Sequence, residues 1–166
     1  MMGMTRWWRH AFADEGEVRA VLDAAAMARL TERVRASEAR HSGEIRLCVE
    51  AGLPWAWLRR PVRERALAVF AELGVWDTEA NNGVLVYLLL ADRAIEIVAD
   101  RGVMRHAPAG HWDAVVATMR EAFRAGRFED GLAQAIDAVD ALLLRHFPLA
   151  EGERNPNELP DAPHVR

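Results

Sequence analysis

The chain has 166 residues, a net charge of −4 at pH 7 and one cysteine, which fits a single domain with its own core, excludes an intramolecular disulfide and argues against nucleic acid as a partner. All 21 residues in the Lys plus Arg count are arginine, so a phosphate-binding P-loop, a Schiff-base lysine and a serine–lysine dyad are excluded. Ser37 and Ser42 stand outside any Gly-x-Ser-x-Gly elbow, and His-Glu-x-x-His and Cys-x-x-Cys spacings are missing.

In chain order, residues 1–22 are expected to form an N-terminal arm with a short helix over Thr5 to Phe12. Its tryptophans and charges stand where a signal peptide would carry an apolar run. From Asp23, an N-cap, a helix with Leu30 and Val34 on one face is expected to reach about Arg40, where Gly43 stops it. Ile45, Leu47 and Val49 alternate with Glu44, Arg46 and Glu50, the period of a strand with one buried face. Cys48 lies in that strand and reads as a small core residue. Leu53 to Arg60 is a tryptophan-rich loop. Pro61 then suits a first helical position, and Val62, Ala66, Val69, Phe70 and Leu73 follow at helical spacing to Gly74.

Residues 84–90 are an uninterrupted apolar run, the mark of a strand buried on both faces, and Asp92-Arg93 is the break before Ile95, Ile97 and Val98 resume. An antiparallel hairpin follows from that spacing. Pro108 to Ala125 and then Leu132 to Phe147 repeat the helical period, and Pro148 closes the last helix. The expected domain is 23–148. Residues 149–166, rich in Pro, Asn, Glu and Gly, are expected to be a disordered tail. The order of elements gives an α/β fold, a three-layer sandwich with a mixed, mostly parallel sheet flanked by helices. A parallel crossover between the first two strands places Glu44, Asn82 and Asp100 at one sheet end, with Asp77 in the loop above.

The segment Trp76-Asp77-Thr78-Glu79-Ala80-Asn81-Asn82-Gly83-Val84-Leu85, the Asp92-Arg93 turn, Asp100-Arg101-Gly102, and Phe123-Arg124-Ala125-Gly126-Arg127-Phe128 with Gly131 together resemble the TPM-domain family. The resemblance spans roughly Asp23 to Phe147. It implies the same kind of sheet between helices, and a family whose members are often exported or membrane-tethered and are linked to membrane-protein maintenance, divalent-cation binding and phosphatase-like activity. Here no apolar run reaches the length of about 18 residues that a membrane span requires. A cytoplasmic protein is expected, in peripheral contact with the inner face of the membrane. Asp-Arg-Gly after the second hairpin strand also departs from the glycine-richer turn that the family leads one to expect.

Asp77, Asn81, Asn82 and Asp100 form the candidate metal set, with Glu44 beside them, because Ca2+ takes oxygen ligands from such side chains and from loop carbonyls, while Mg2+ takes one or two carboxylates and keeps its waters. The same residue types also shape turns without any ligand. The expected function is an accessory domain that binds a protein partner, itself membrane-associated, with Ca2+ or Mg2+ at this sheet end. The alternative is a metal-assisted phosphatase-like hydrolase using the same cluster, with Arg101 as phosphate clamp. No catalytic residue is assigned. His106 and His111 are the histidine pair nearest in sequence. Trp7, Trp8, Trp55, Trp57, Arg59 and Arg60 form a candidate partner or membrane surface, since indole and guanidinium together suit both.

Overall fold

A computed structural model describes residues 4–166 of the chain; residues 1–3 of the expected N-terminal arm lie outside the described residues. Helix α1 (Met4–Phe12) opens the chain, followed by α2 (Glu15–Val21), whose first turn is capped by Asp14 Oδ1 at 2.8 Å from Gly16 N. This second helix has no counterpart in the sequence reading, because seven residues carry too little periodicity to register. Helix α3 (Ala24–Glu38) starts where Asp23 accepts from Ala26 N at 2.7 Å, and buries Ala26, Leu30 and Val34 at a spacing of four.

Strand β1 (Glu44–Glu50) leads through a short 3-10 turn at Trp55–Trp57 into α4 (Val62–Glu72). Pro61 is the cap of α4 rather than its first residue, and Gly74 turns the chain away with φ of 67°. Strands β2 (Gly83–Leu89) and β3 (Ala94–Ala99) form the hairpin, α5 (Arg101–Met104) follows at once, and α6 (His111–Arg124) and α7 (Phe128–His146) complete the helices.

The sheet runs β3-β2-β1-β4, where β4 is His164–Val165. β1 lies parallel to β2 with Glu44 opposite Gly83, and parallel to β4 with Cys48 opposite His164; β2 and β3 are antiparallel with Val84 opposite Ala99. Helices α2, α3, α6 and α7 cover one face over a core that includes Ile45, Val86, Leu132 and Ile136. On the other face α4 and the loop before it cover Cys48, Leu85, Tyr87 and Leu89. This is the expected three-layer α/β arrangement.

Two expectations need correction. The alternation in β1 does not expose a face, since all seven of its residues are buried. Residues 149–166 are not a disordered tail. They run beside β1, with Arg166 N donating to Val49 O at 3.1 Å and Ala51 N to Arg166 O at 2.8 Å. Arg46 on β1 donates to Pro160 O at 2.8 Å and also to Ala162 O, while Leu159 N donates to Glu44 Oε2 at 3.0 Å. A composition of Pro and Asn discourages regular structure, but Arg46 and Glu44 supply the tail's backbone with partners that composition cannot register. The arm, too, belongs to the body. Val18 and Leu22 are fully buried in the main core.

Candidate functional site

The loop between α4 and β2 reaches the sheet end through side chain–backbone bonds. Thr78 Oγ1 accepts from Asn82 N at 3.0 Å, and Asn82 Nδ2 donates to Ser42 Oγ at 3.2 Å. Asn81 takes the left-handed conformation with φ of 53°, as asparagine does more readily than most residues. Its carbonyl accepts from Gly102 N at 3.0 Å. A Cβ on Gly102 would sit 2.4 Å from that same oxygen, so the approach of the two loops requires glycine there. Asp100 follows β3, its backbone N donating to Gly83 O at 2.9 Å, and its Oδ1 caps α5 by accepting from Arg101 N at 2.6 Å.

Glu44, Asn82 and Asp100 are therefore brought to one end of three adjacent strands, all buried. Among the described residues each keeps one oxygen without a hydrogen-bond partner: Glu44 Oε1, Asn82 Oδ1 and Asp100 Oδ2. Burial pushes the Glu44 carboxyl above the usual carboxylate range, against the Leu159 N–H that lowers it. Asp77 and Asn81 are exposed at the same end and make no side-chain hydrogen bond among the described residues. Among the described residues no group of three or more His, Cys, Asp or Glu side chains is gathered closely enough to hold a metal by itself. A recess of about 160 Å³ opens beside the cluster, lined by Ala80, Asn81, Arg101, Gly102 and Arg105.

Several polar residues of consequence were not singled out from the sequence. Ser42 and Thr78 hold Asn82, and Arg105 stands one helical turn after Arg101. Recognising Asp100 as an N-cap would have put both arginines on one short helix. Glu38 is buried, accepts from Ile45 N at 2.7 Å, and has its carboxyl raised to about 9 by burial, with Glu44 and Asp161 adding repulsion. Glu38 follows Leu30 and Val34 at the same spacing of four on the buried face of α3, so the apolar stripe itself was the signal that could have found it. Ser37, His41 and Asp140 also cluster, with Ser37 Oγ donating to Asp140 Oδ1 at 2.7 Å and lying 2.9 Å from His41 Nε2. The serine sits between its partners rather than at the end of a relay, and His41 is wholly buried, so the group is structural.

His106 and His111 do not form the pair that their spacing invites. His106 stacks on His146 of α7 at 4.2 Å, and His111 lies against Trp112. Burial raises the Cys48 thiol to about 12, which keeps it an unreactive core group.

The tryptophan–arginine segments divide. The guanidinium groups of Arg60 and Arg65 both lie over the Trp57 ring, at 5.0 Å and 5.1 Å from its centroid. Trp55 is 84% exposed, and Trp7 and Trp8 are about half exposed at 47% and 49%. Arg59 is exposed and has no ion pair among the described residues. Helix α1 is fastened by other residues: Arg6 bonds Asp92 at 2.7 Å and Leu58 O at 2.6 Å, and His10 Nδ1 accepts from Leu53 N at 3.0 Å. None of the described helices is long and apolar enough to cross a membrane.

Comparison with known proteins agrees with this architecture. The solution structure of the BA42 protein from the psychrophilic bacterium Bizionia argentinensis superposes with a TM-score of 0.76 at 28% identity, covering 87% of this chain and 95% of that one. The N-terminal domain of a P. gingivalis protein matches with a TM-score of 0.63 at 24% identity, over 78% and 83% of the two chains. A search of curated proteins returned no match. The sequence profile of the TPM domain matches residues 18–142, from α2 almost to the end of α7. That span takes in the hairpin, both loops of the sheet end and every helix packed on the main core, and the chain belongs to the TPM-domain family.

Proposed function

We propose that this chain is a TPM accessory domain that binds a divalent cation, Ca2+ or Mg2+, at the sheet end formed by residues 81–83 and 100–102, and binds a protein partner at the inner, cytoplasmic face of a membrane through a separate surface. The observation that carries the reading is the set of buried, unpaired oxygens on Glu44, Asn82 and Asp100. Leaving an acceptor buried and unpaired costs roughly 1–3 kcal/mol, and more when it is charged. A hard cation offsets that cost, and oxygen donors from carboxylate, amide and backbone carbonyl are the ligands it takes. Asp77 and Asn81, exposed at the same end, are the further oxygen donors in this reading, with water completing the shell. The partner surface is supported by the large exposed aromatic side chains Trp7, Trp8, Phe12 and Trp55.

Calorimetric titration of metal-stripped protein tests the cation. Saturable Ca2+ or Mg2+ binding, weakened at least about tenfold in Asp100→Ala by loss of a charged ligand, is the expected result. An identical isotherm for wild type and Asp100→Ala would sink the reading.

A second reading, a metal-assisted phosphatase-like hydrolase, is favoured by Arg101 and Arg105, which share the adjacent recess and have no carboxylate within ion-pairing distance among the described residues. Two guanidinium groups beside a cation could hold phosphoryl oxygens while water attacks. Turnover of p-nitrophenyl phosphate that disappears with chelator and in Asp100→Ala would support it; absence of turnover in loaded wild type would reject it.

A further inference from the structure

The opposite end of the sheet carries a separate concentration of positive charge. The turn from β2 to β3 ends at Arg93, whose φ of 50° lies in the left-handed region. Glycine or asparagine would take this position with less strain, so the arginine is there for its side chain rather than for the turn. Arg93 borders a recess of about 350 Å³ whose other lining residues are Arg120, Phe123 and Arg124 from the last turns of α6.

These three guanidinium groups stand out because arginines in this chain are otherwise mostly compensated. Twelve of the 21 pair with a carboxylate among the described residues, whereas Arg93, Arg120 and Arg124 have none within 4.0 Å. Asp92, the acid next to Arg93, is already held by Arg6 at 2.7 Å, with His10 Nε2 at 3.1 Å and Arg9 at 3.5 Å. The C-terminal dipole of α6 favours cations at positions 120 and 124, but it gives no reason for a strained arginine across the recess. Three like charges around one concavity repel one another, and an anion seated between them reverses that sign.

Arg93 also lines an adjoining groove of about 660 Å³ together with Phe12, Val21, Leu90 and Phe128, with Glu17 and the Asp92 already held by Arg6 as its acidic residues. A cationic recess opening onto an apolar groove fits a molecule with an anionic head and an apolar part. We propose that the Arg93, Arg120 and Arg124 recess binds a phosphate-bearing ligand, whose phosphoryl oxygens are taken by the guanidinium forks and whose apolar part lies along Phe12, Leu90 and Phe128. Guanidinium is suited to this because its planar donors match phosphate oxygens two at a time. The site is independent of the cation reading, which concerns the other end of the strands.

The experiment titrates 15N-labelled full chain with inorganic phosphate at constant ionic strength, and repeats it with Arg93→Gly, a substitution that removes the charge and relieves the backbone, so the variant folds. Saturable shifts at residues 93, 120, 123 and 124, with about tenfold weaker binding in Arg93→Gly, are expected. No saturable shifts, or equal affinity in the two proteins, would overturn the proposal. Co-sedimentation with phosphatidylglycerol vesicles, against phosphatidylcholine, identifies the source among positive outcomes: sedimentation lost in Arg93→Gly assigns a lipid headgroup, and phosphate shifts without sedimentation assign a soluble phosphate.

Discussion

Glu50 is 2% exposed and its charge is answered from three directions: Arg65 at 2.7 Å, the Tyr87 hydroxyl donating at 2.5 Å, and Arg166 at 3.6 Å. Glu72 extends the network by bonding Arg65 at 3.2 Å and Arg166 at 2.6 Å. Removing one member strands the others, since breaking a buried pair costs roughly 3–5 kcal/mol. Arg65→Ala is therefore expected to lower unfolding stability by about that amount in urea denaturation; a loss below about 1 kcal/mol, the range of surface pairs, would show Glu50 to be solvated. The Glu38 carboxyl makes a second prediction. Its pKa is raised from an ordinary 4.5 to about 9, so between those values the folded chain holds a proton that the unfolded chain has lost. Stability is then greatest below the unfolded pKa and falls as pH climbs toward 9, by on the order of a few kcal/mol. Glu38→Gln should flatten this slope; a wild-type stability that is level from pH 5 to 9 would contradict it. None of this was legible in Glu44, Arg46 and Glu50, whose alternation with Ile45, Leu47 and Val49 looks the same whether the second face meets water or a buried ionic network.

At the scale of elements, the strongly periodic segments were legible. The helices now called α3, α4, α6 and α7, and strands β1 to β3, stand within a few residues of their expected places because each buries a continuous stripe or run. What escaped was short or held by side chains: α2, α5 and the strand β4, which is only His164–Val165. The edge of β1 depends on that last strand. In a chain truncated after residue 157, the amide of Ala51 loses Arg166 O as acceptor, and Arg46 loses its two carbonyls. Hydrogen exchange at Ala51 should then quicken by at least about tenfold, corresponding to loss of a bond worth roughly 1 kcal/mol or more; unchanged protection would mean that the tail contributes nothing to the sheet. Packing between α6 and α7 is tighter still. A Cβ on Gly131 would lie 2.5 Å from Phe123 Cε1, whose ring stacks on Phe128 at 4.9 Å. Gly131→Ala is expected to cost about 1–3 kcal/mol by overpacking, read as a lower urea midpoint, and a midpoint at or above wild type would show that the rings can yield.

The whole molecule carries a separate polar group at each end of its sheet. One end joins Glu44, Asn82 and Asp100 with unpaired oxygens, and the other brings Arg93 to Arg120 and Arg124. Topology made the first end legible in the sequence, because one parallel and one antiparallel pairing fix where residues 44, 82 and 100 must lie. The second end was not, because α6 could not be placed over the hairpin turn by periodicity alone. Binding of a cation at the first end is read at residue resolution by amide chemical shifts. Metal-stripped protein is titrated with Ca2+ and Mg2+ beside Asp100→Ala. Saturable shifts centred on residues 81–83 and 100–102 that are lost in the variant are expected. Shifts that are absent at millimolar metal, or that fall elsewhere on the chain, would contradict binding at this end.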